Sequence, residues 1–219
     1  MHHPACANRA VLVAAATLAV MASGTHASLT FTNSTTANGL GSNLVLGVYE
    51  SGGTIYAATD DGGLSTSTDG GSTWTNYTTA NGLSGNVVWG VYESGGTIYA
   101  ATDGGLSIYK DNSWTNYTTA DGLGSEIVWD VYESGGTIYA ATNGGLSTST
   151  DGGVSWTNYT TANGLGSNRV YGVYESGGTI YAATYGGGLS IANVTAVPGA
   201  AGVAGLATIG LVGSRRRRR

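Results

Sequence analysis

A ring of four-stranded β-blades is the architecture that three features of this 219-residue chain predict. The phrase Val-Tyr-Glu-Ser-Gly-Gly-Thr-Ile-Tyr-Ala-Ala-Thr occurs four times, at Val48–Thr59, Val91–Thr102, Val131–Thr142 and Val173–Thr184. The Gly-Leu pairs preceding the copies end at Leu40, Leu83, Leu123 and Leu165, a spacing of 43, 40 and 42 residues, and a period in the low forties is the length of a propeller blade. The composition agrees. With 38 Gly and 14 Tyr against 2 Pro, and 10% charged residues, the chain suits short strands joined by glycine turns and fits neither a charge-rich disordered protein nor an ordinary helical domain. A parallel β-helix needs shorter coils, and helical repeats of this period would not be so rich in Gly, Thr and Tyr.

One unit reads as four strands. Leu44–Glu50 is apolar and β-branched, Ser51-Gly52-Gly53 is a hairpin turn, and Thr54–Thr59 alternates, the pattern of two paired strands. Asp60–Gly63 turns again, Leu64–Thr68 and Thr73–Thr78 flank a third turn at Asp69-Gly70-Gly71, and Thr79–Asn86 leads to the next unit. The repeat region does not start at a unit boundary: Phe31–Leu40 lines up with Trp74–Leu83, the end of a unit, and the last unit stops after its third strand, Leu189–Ala192. The sum is sixteen strands, four complete blades if the segment around Phe31 joins the final sheet. Each blade is apolar on both faces, so an open stack would leave two faces and a sheet edge in water. The expectation is therefore a monomeric, all-β, four-bladed β-propeller closed by the N-terminal strand. The alternative is an incomplete stack that closes only with a second copy, as an eight-bladed ring.

The propeller is expected over residues 28–194, with an apolar helical segment at either terminus. Residues 1–27 combine a weakly basic head ending at Arg9, an apolar run Ala10–Ala22 too short to span a bilayer, and a small residue at Ala27, the layout of a secretory signal peptide. Cleavage after Ala27 removes Cys6, His2, His3 and His26 and leaves no Cys or His. Disulfides, Cys or His zinc sites and imidazole-activated nucleophiles are then excluded by inventory. Residues 195–219 hold Val197-Pro198-Gly199, an apolar run to Gly213, Ser214 and five arginines. A run of about fifteen residues reaches roughly 23 Å as a helix, short of a hydrocarbon core of about 30 Å, and the arginines would stay on the cytoplasmic side. That describes a transient membrane stop.

The turn sequence Ser67-Thr68-Asp69-Gly70-Gly71-Ser72-Thr73-Trp74, repeated at Ser149–Trp156 with Asp151, Gly153 and Trp156 in place, resembles the Asp-box, or BNR, repeat. The aspartate can accept turn N–H groups, the glycine allows positive φ and the tryptophan pins the hairpin. The resemblance implies scaffold turns distant from any catalytic site. In the second unit the stretch Tyr109–Trp114 is two residues shorter and a simpler turn is expected. The other half of the unit, seen in Trp114–Tyr117, Asp121-Gly122-Leu123, Val131-Tyr132, Ile138–Thr142 and Gly144-Gly145-Leu146, resembles the two-component regulator propeller repeat. Both resemblances imply β-propeller blades and neither implies a substrate. The tail from Val197 resembles the PEP-CTERM class of bacterial sorting signals, with Pro198-Gly199-Ala200 where the signature Pro-Glu-Pro would stand. It implies a sorting transpeptidase as partner and delivery to the cell envelope or extracellular matrix.

Six of the eight bases are Arg9 and Arg215–Arg219, whereas all 13 acids lie between Glu50 and Glu175, which argues against nucleic acid or an anionic membrane as a partner of the repeats. Because the units are near copies, positions that differ point to function. They concentrate in the first strand, expected to line the central channel: Leu44, Val87, Ile127 and Arg169 correspond, as do Leu46, Trp89, Trp129 and Tyr171, and Gly47, Gly90, Asp130 and Gly172. Trp89, Trp129 and Tyr171 with Arg169 and Asp130 can stack a sugar ring and bond its hydroxyls. In the other reading the aromatics fill wedge-shaped gaps between blades while Arg169 and Asp130 pair across units. A sialidase needs an arginine cluster for the substrate carboxylate, and Arg169 stands alone among the repeats. Glu50, Glu93, Glu133 and Glu175 recur at one hairpin position, which suits a structural role better than an active site. Asp60-Asp61-Gly62-Gly63 offers oxygen ligands to calcium but reads as a solvated acidic rim, so no cofactor is expected. The expectation is an exported, non-catalytic envelope or matrix module that binds an extracellular glycan or envelope protein. The alternative is an extracellular glycan-cleaving enzyme of the Asp-box type.

Overall fold

The structure, a computed structural model, describes residues 28–194; the signal segment and the sorting tail expected from the sequence lie outside the described residues. Fifteen strands form four antiparallel sheets. Blade 1 comprises β1 (Val45–Ser51), β2 (Thr54–Thr59), β3 (Gly63–Ser67) and β4 (Thr75–Tyr77). Blade 2 comprises β5 (Val88–Ser94), β6 (Thr97–Thr102), β7 (Gly105–Lys110) and β8 (Ser113–Tyr117). Blade 3 comprises β9 (Val128–Ser134), β10 (Thr137–Thr142), β11 (Gly145–Ser149) and β12 (Thr157–Tyr159), and blade 4 comprises β13 (Val170–Ser176), β14 (Thr179–Thr184) and β15 (Gly188–Asn193). Within each blade the strands pair in sequence order, as a run of tight hairpins dictates. The all-β, four-bladed architecture is the one the repeats predict. Among the described residues no helix is long and apolar enough to cross a membrane.

Local chemistry fixes each turn. Gly52 and Gly53 have φ of 57° and 83°, the left-handed pair that a two-residue turn matched to strand twist requires, and Glu50 accepts the Gly53 N–H at 2.8 Å. Glu93, Glu133 and Glu175 accept from Gly96, Gly136 and Gly178 in the same way. In the longer third turn Asp69 accepts the N–H groups of Ser72 and Thr73, both at 3.0 Å, while the Ser67 hydroxyl donates to Asp69 and accepts from Gly71. Asp151 closes the equivalent turn of blade 3 with Ser149 and Ser155. The shorter turn of blade 2 is a two-residue hairpin with Asp111 and Asn112 at φ of 51° and 62°.

Blades stack through their first strands, β1 against β5, β5 against β9 and β9 against β13, so the first strand is innermost. Three apolar clusters fill the spaces between blades. Leu64 and Leu106 are wholly buried there, each contributing about 2–3 kcal/mol. An inner ladder of tyrosines links all four blades: Tyr49 meets Tyr92 at 5.1 Å, Tyr92 meets Tyr132 at 4.9 Å and Tyr132 meets Tyr174 at 5.1 Å.

The seam differs from expectation. No strand occurs between Ser28 and Thr35, Phe31 is 83% exposed, and blade 4 has three strands, not four. Closure by the N-terminal strand is therefore corrected to an open arc of fifteen strands. The reason lies in the blade packing. A square of four tyrosines spaced about 5 Å apart would bring Tyr174 back against Tyr49, yet among the described residues the ladder ends at Tyr174, which is exposed. The end blades keep bare faces: Leu189 is 59% exposed where its counterpart Leu64 is 0%, and Val48 is 74% exposed where Val131 is 3%.

Candidate functional site

Of the five residues singled out from the sequence, Trp89, Trp129, Asp130 and Tyr171 lie on the innermost strands and Arg169 immediately precedes β13, and their setting is a β-bulge repeated in every blade. The pairing of β1 with β2 skips from Val45 to Gly47, that of β5 with β6 from Val88 to Gly90, that of β9 with β10 from Val128 to Asp130, and that of β13 with β14 from Val170 to Gly172. Leu46, Trp89, Trp129 and Tyr171 are the skipped residues. A bulge leaves its extra residue out of the ladder and re-aims the side chain. It does so here four times over, lining up one side chain per blade.

The bulged aromatics form one row. Trp89 and Trp129 lie 4.7 Å apart, Trp129 meets Tyr171 edge-on at 5.2 Å, and Tyr171 meets Tyr185 at 5.9 Å. The row starts half-buried at Trp89 and ends exposed at Tyr171 and Tyr185. Arg169 lies over the Tyr185 ring at 5.0 Å, and its Nε donates to Asn143 Oδ1 at 2.7 Å. A guanidinium stacked on an aromatic face gains cation–π attraction. Asn143 and Tyr185 were not singled out from the sequence. The signal was present, because Asp60, Asp103, Asn143 and Tyr185 occupy one position of the repeat, which is Asp in the first two units and changes in the last two.

Asp130 does not belong to the open part of the row. Its Oδ1 accepts the Val131 N–H at 2.9 Å and its Oδ2 accepts the Val173 N–H at 3.0 Å. Burial pushes its carboxyl above the usual range, opposed by those two N–H groups. The structure thus joins Trp89, Trp129 and Tyr171, brings Arg169 to the end of their row, and commits Asp130 to the boundary of blades 3 and 4. Arg169 pairs with Asn143, so the expected alternative of an Arg169–Asp130 pair is not made. The indole N–H groups of Trp89 and Trp129 are buried without an acceptor in the protein, but so are those of Trp74, Trp114 and Trp156 on the outer strands and their approaches, so this property does not single out the row.

Most acids have scaffold duties: the four hairpin glutamates, Asp69, Asp151, Asp130, and Asp121, which accepts the Thr118 N–H at 2.9 Å. Among the described residues no group of three or more Asp, Glu, His or Cys comes together to hold a metal ion. A cleft of about 570 Å³ opens between blades 3 and 4, its walls including Leu146, Tyr159, Leu165, Ile180 and Ile191. It lies apart from the residues singled out from the sequence.

No family model and no curated protein matches the chain. Solved structures share its fold. The extracellular domain of the putative hybrid two-component system BT3049 from B. thetaiotaomicron superposes with a TM-score of 0.58 at 23% identity, over 69% of this chain and 23% of that one. The computationally designed Ika4 protein gives 0.54 at 8% identity, over 69% of this chain and 91% of Ika4. The designed Ika8 protein gives 0.53 at 8% identity, over 68% of this chain and 45% of Ika8. This chain thus spans less than a quarter of the length of the BT3049 domain, and at these identities the likeness is one of fold.

Proposed function

We propose that the protein is an exported, non-catalytic β-propeller, an interaction module of the cell envelope or extracellular matrix that binds a glycan through the aromatic row on its innermost strands. The row carries the reading: Trp89, Trp129 and Tyr171 stand on bulges that take their side chains out of the regular ladder, and the row ends in exposed tyrosines beside Arg169. Flat aromatic surfaces with a few polar groups at the edge suit the apolar faces and hydroxyl rims of sugars. Export rests on the signal-like layout of residues 1–27 and the PEP-CTERM-like tail, and agrees with the extracellular setting of the BT3049 domain whose fold the chain shares.

The test is retention on a glycan array by the intact protein and by Trp129→Ala, with circular dichroism to show that the sheets persist. Retention that falls about tenfold or more, the effect of losing roughly 1.4 kcal/mol, is the expected result. Unchanged retention with an intact fold would remove the sugar reading. Hydrolysis of any arrayed glycan would remove the non-catalytic one.

A further inference from the structure

Blade 4 lacks its outer strand, and the space that strand would occupy is open. In blades 2 and 3 the tryptophan of the outer strand reaches back to the preceding blade: Trp114 meets Tyr77 at 5.6 Å and Trp156 meets Tyr117 at 5.9 Å. Tyr159, the next tyrosine of this series, is exposed. The apolar cluster between blades 3 and 4 has no tryptophan, unlike the two before it. The cleft beside Tyr159, Leu165 and Ile191 is the missing tryptophan's seat.

A hydrogen-bonded relay stops at the same place. The Ser65, Ser107 and Ser147 hydroxyls donate to Asn76, Asn116 and Asn158 of the outer strand, whose amides donate to the carbonyls of Gly39, Gly82 and Gly122. Each serine also accepts an N–H from the incoming connector, Gly41, Ser84 and Gly124 in turn. In blade 4 Ser190 accepts from Gly166 at 2.9 Å, and the asparagine has no counterpart in the sheet. The chain contains that counterpart. Thr32-Asn33-Ser34-Thr35-Thr36-Ala37-Asn38-Gly39-Leu40 repeats Thr75–Leu83 with one change, Ser34 for Tyr77, and Phe31 stands where Trp74 does.

The connector that follows this segment already sits on blade 1: Asn76 donates to Gly39, and Leu40 is buried. In every later unit the strand before such a connector belongs to the preceding blade. Among the described residues no blade precedes blade 1, and its forward face, Val45 and Val48, is uncovered where Val88, Val128 and Val170 are wholly buried. The rear face of blade 4, Tyr174, Ala183 and Leu189, is uncovered in turn. These two faces carry the side chains that meet at the three internal boundaries.

We propose that two copies of the chain close head to tail into an eight-bladed ring, each copy lending Phe31–Ser34 as the outer strand of the other's blade 4. Ser34, Asn33 and Thr32 then lie opposite Leu189, Ser190 and Ile191, as Tyr77, Asn76 and Thr75 lie opposite Leu64, Ser65 and Thr66 in blade 1. Phe31 fills the cleft, and Asn33 completes the relay from Ser190. A head-to-tail interface that closes makes a finite ring. Two copies give eight blades, within the four to eight that such rings hold, whereas three would give twelve.

Sedimentation of the purified full chain tests the stoichiometry, and cysteine pairing tests the exchange. In a Cys6→Ser background, chains carrying only Thr32→Cys are mixed with chains of different tag length carrying only Ile191→Cys. Opposed residues of an antiparallel pair place their Cβ atoms about 4.5–5.5 Å apart, so mild oxidation or a short thiol crosslinker should join the two chains to each other. Asn33→Ala and Phe31→Ala should each weaken association by about tenfold or more. Twice the mass of one chain together with the mixed crosslink is the expected outcome. A monomer, an open-ended series of masses, a dimer without the mixed crosslink, or a crosslink formed within one chain of a variant carrying both Thr32→Cys and Ile191→Cys would each overturn the proposal.

Discussion

Asp130 Oδ2 accepts the backbone N–H of Val173, 43 residues away, at 3.0 Å, and so ties the inner strand of blade 3 to that of blade 4. The equivalent positions in the other blades are Gly47, Gly90 and Gly172, so this bond exists at one boundary only. The carboxylate also holds the Val131 N–H. Asp130→Ala should leave both donors without an acceptor and cost about 1–3 kcal/mol, read as a lower midpoint in urea denaturation.

The same residue should leave a mark on the pH dependence. Burial raises the Asp130 carboxyl pKa in the folded protein, so the folded state holds that proton more tightly than the unfolded chain does. Stability from this group therefore falls as pH rises from the ordinary carboxylate value to the raised one, and is level above it. Urea midpoints compared for the native chain and Asp130→Ala between pH 3 and 7 should draw closer together as pH rises through that window. A constant difference would mean that the carboxyl is not perturbed.

Asp151 has the opposite sign. The Ser155 hydroxyl and N–H and the Ser149 hydroxyl hold its carboxyl down to about 2. Its contribution is present above the ordinary carboxylate value and is lost as pH falls through the folded one. The loss in urea midpoint on replacing Asp151→Ala should be largest near neutrality and should shrink as pH is taken toward 2, a trend that follows the turn and not the overall charge.

The repeats made much of the fold legible. The period and the glycine pairs at 52–53, 95–96, 135–136 and 177–178 locate every first hairpin, because a two-residue turn between alternating runs has few other solutions. The aromatic row was legible as variation among near copies, but its cause was not: the bulge at Trp89, Trp129 and Tyr171 has no periodicity signal, since one extra residue leaves the run apolar and β-branched. Asp130 read as a polar group for a ligand because sequence shows charge but not the direction of an N–H. The seam was missed for a related reason. Counting strands predicts that the segment around Phe31 is the fourth strand of a blade, but curvature, which decides whether the ends of the arc meet, is a sum of small packing angles that no local pattern records.

Close backbone approach gives a sharper test of the connectors. A Cβ on Gly144 would lie 2.0 Å from the carbonyl oxygen of Gly124, where the incoming connector crosses the turn between β10 and β11. Backbone cannot give way as a flexible side chain can, so Gly144→Ala should cost about 1–3 kcal/mol by overpacking. Gly135→Ala meets nothing within 4 Å but has φ of +58°, and should cost about 1 kcal/mol through the left-handed backbone alone. A smaller loss for Gly144→Ala than for Gly135→Ala in thermal unfolding would contradict the close approach.

The serine–asparagine relay should behave as a unit. Ser107 is wholly buried, donates to Asn116 Oδ1 at 2.8 Å and accepts the Ser84 N–H at 2.9 Å, and Asn116 Nδ2 donates to the Gly82 carbonyl at 2.9 Å. Asn116→Ala leaves the Ser107 hydroxyl and the Gly82 carbonyl without that partner, and Ser107→Ala leaves the Ser84 N–H and one side of Asn116 without theirs, so each should cost about 1–3 kcal/mol. The double variant should cost less than the sum by about 0.5–3 kcal/mol, because the second truncation removes a group the first had already orphaned. Additive losses in urea denaturation would show that serine and asparagine act independently, and that the bond between them contributes little to holding the outer strand of a blade.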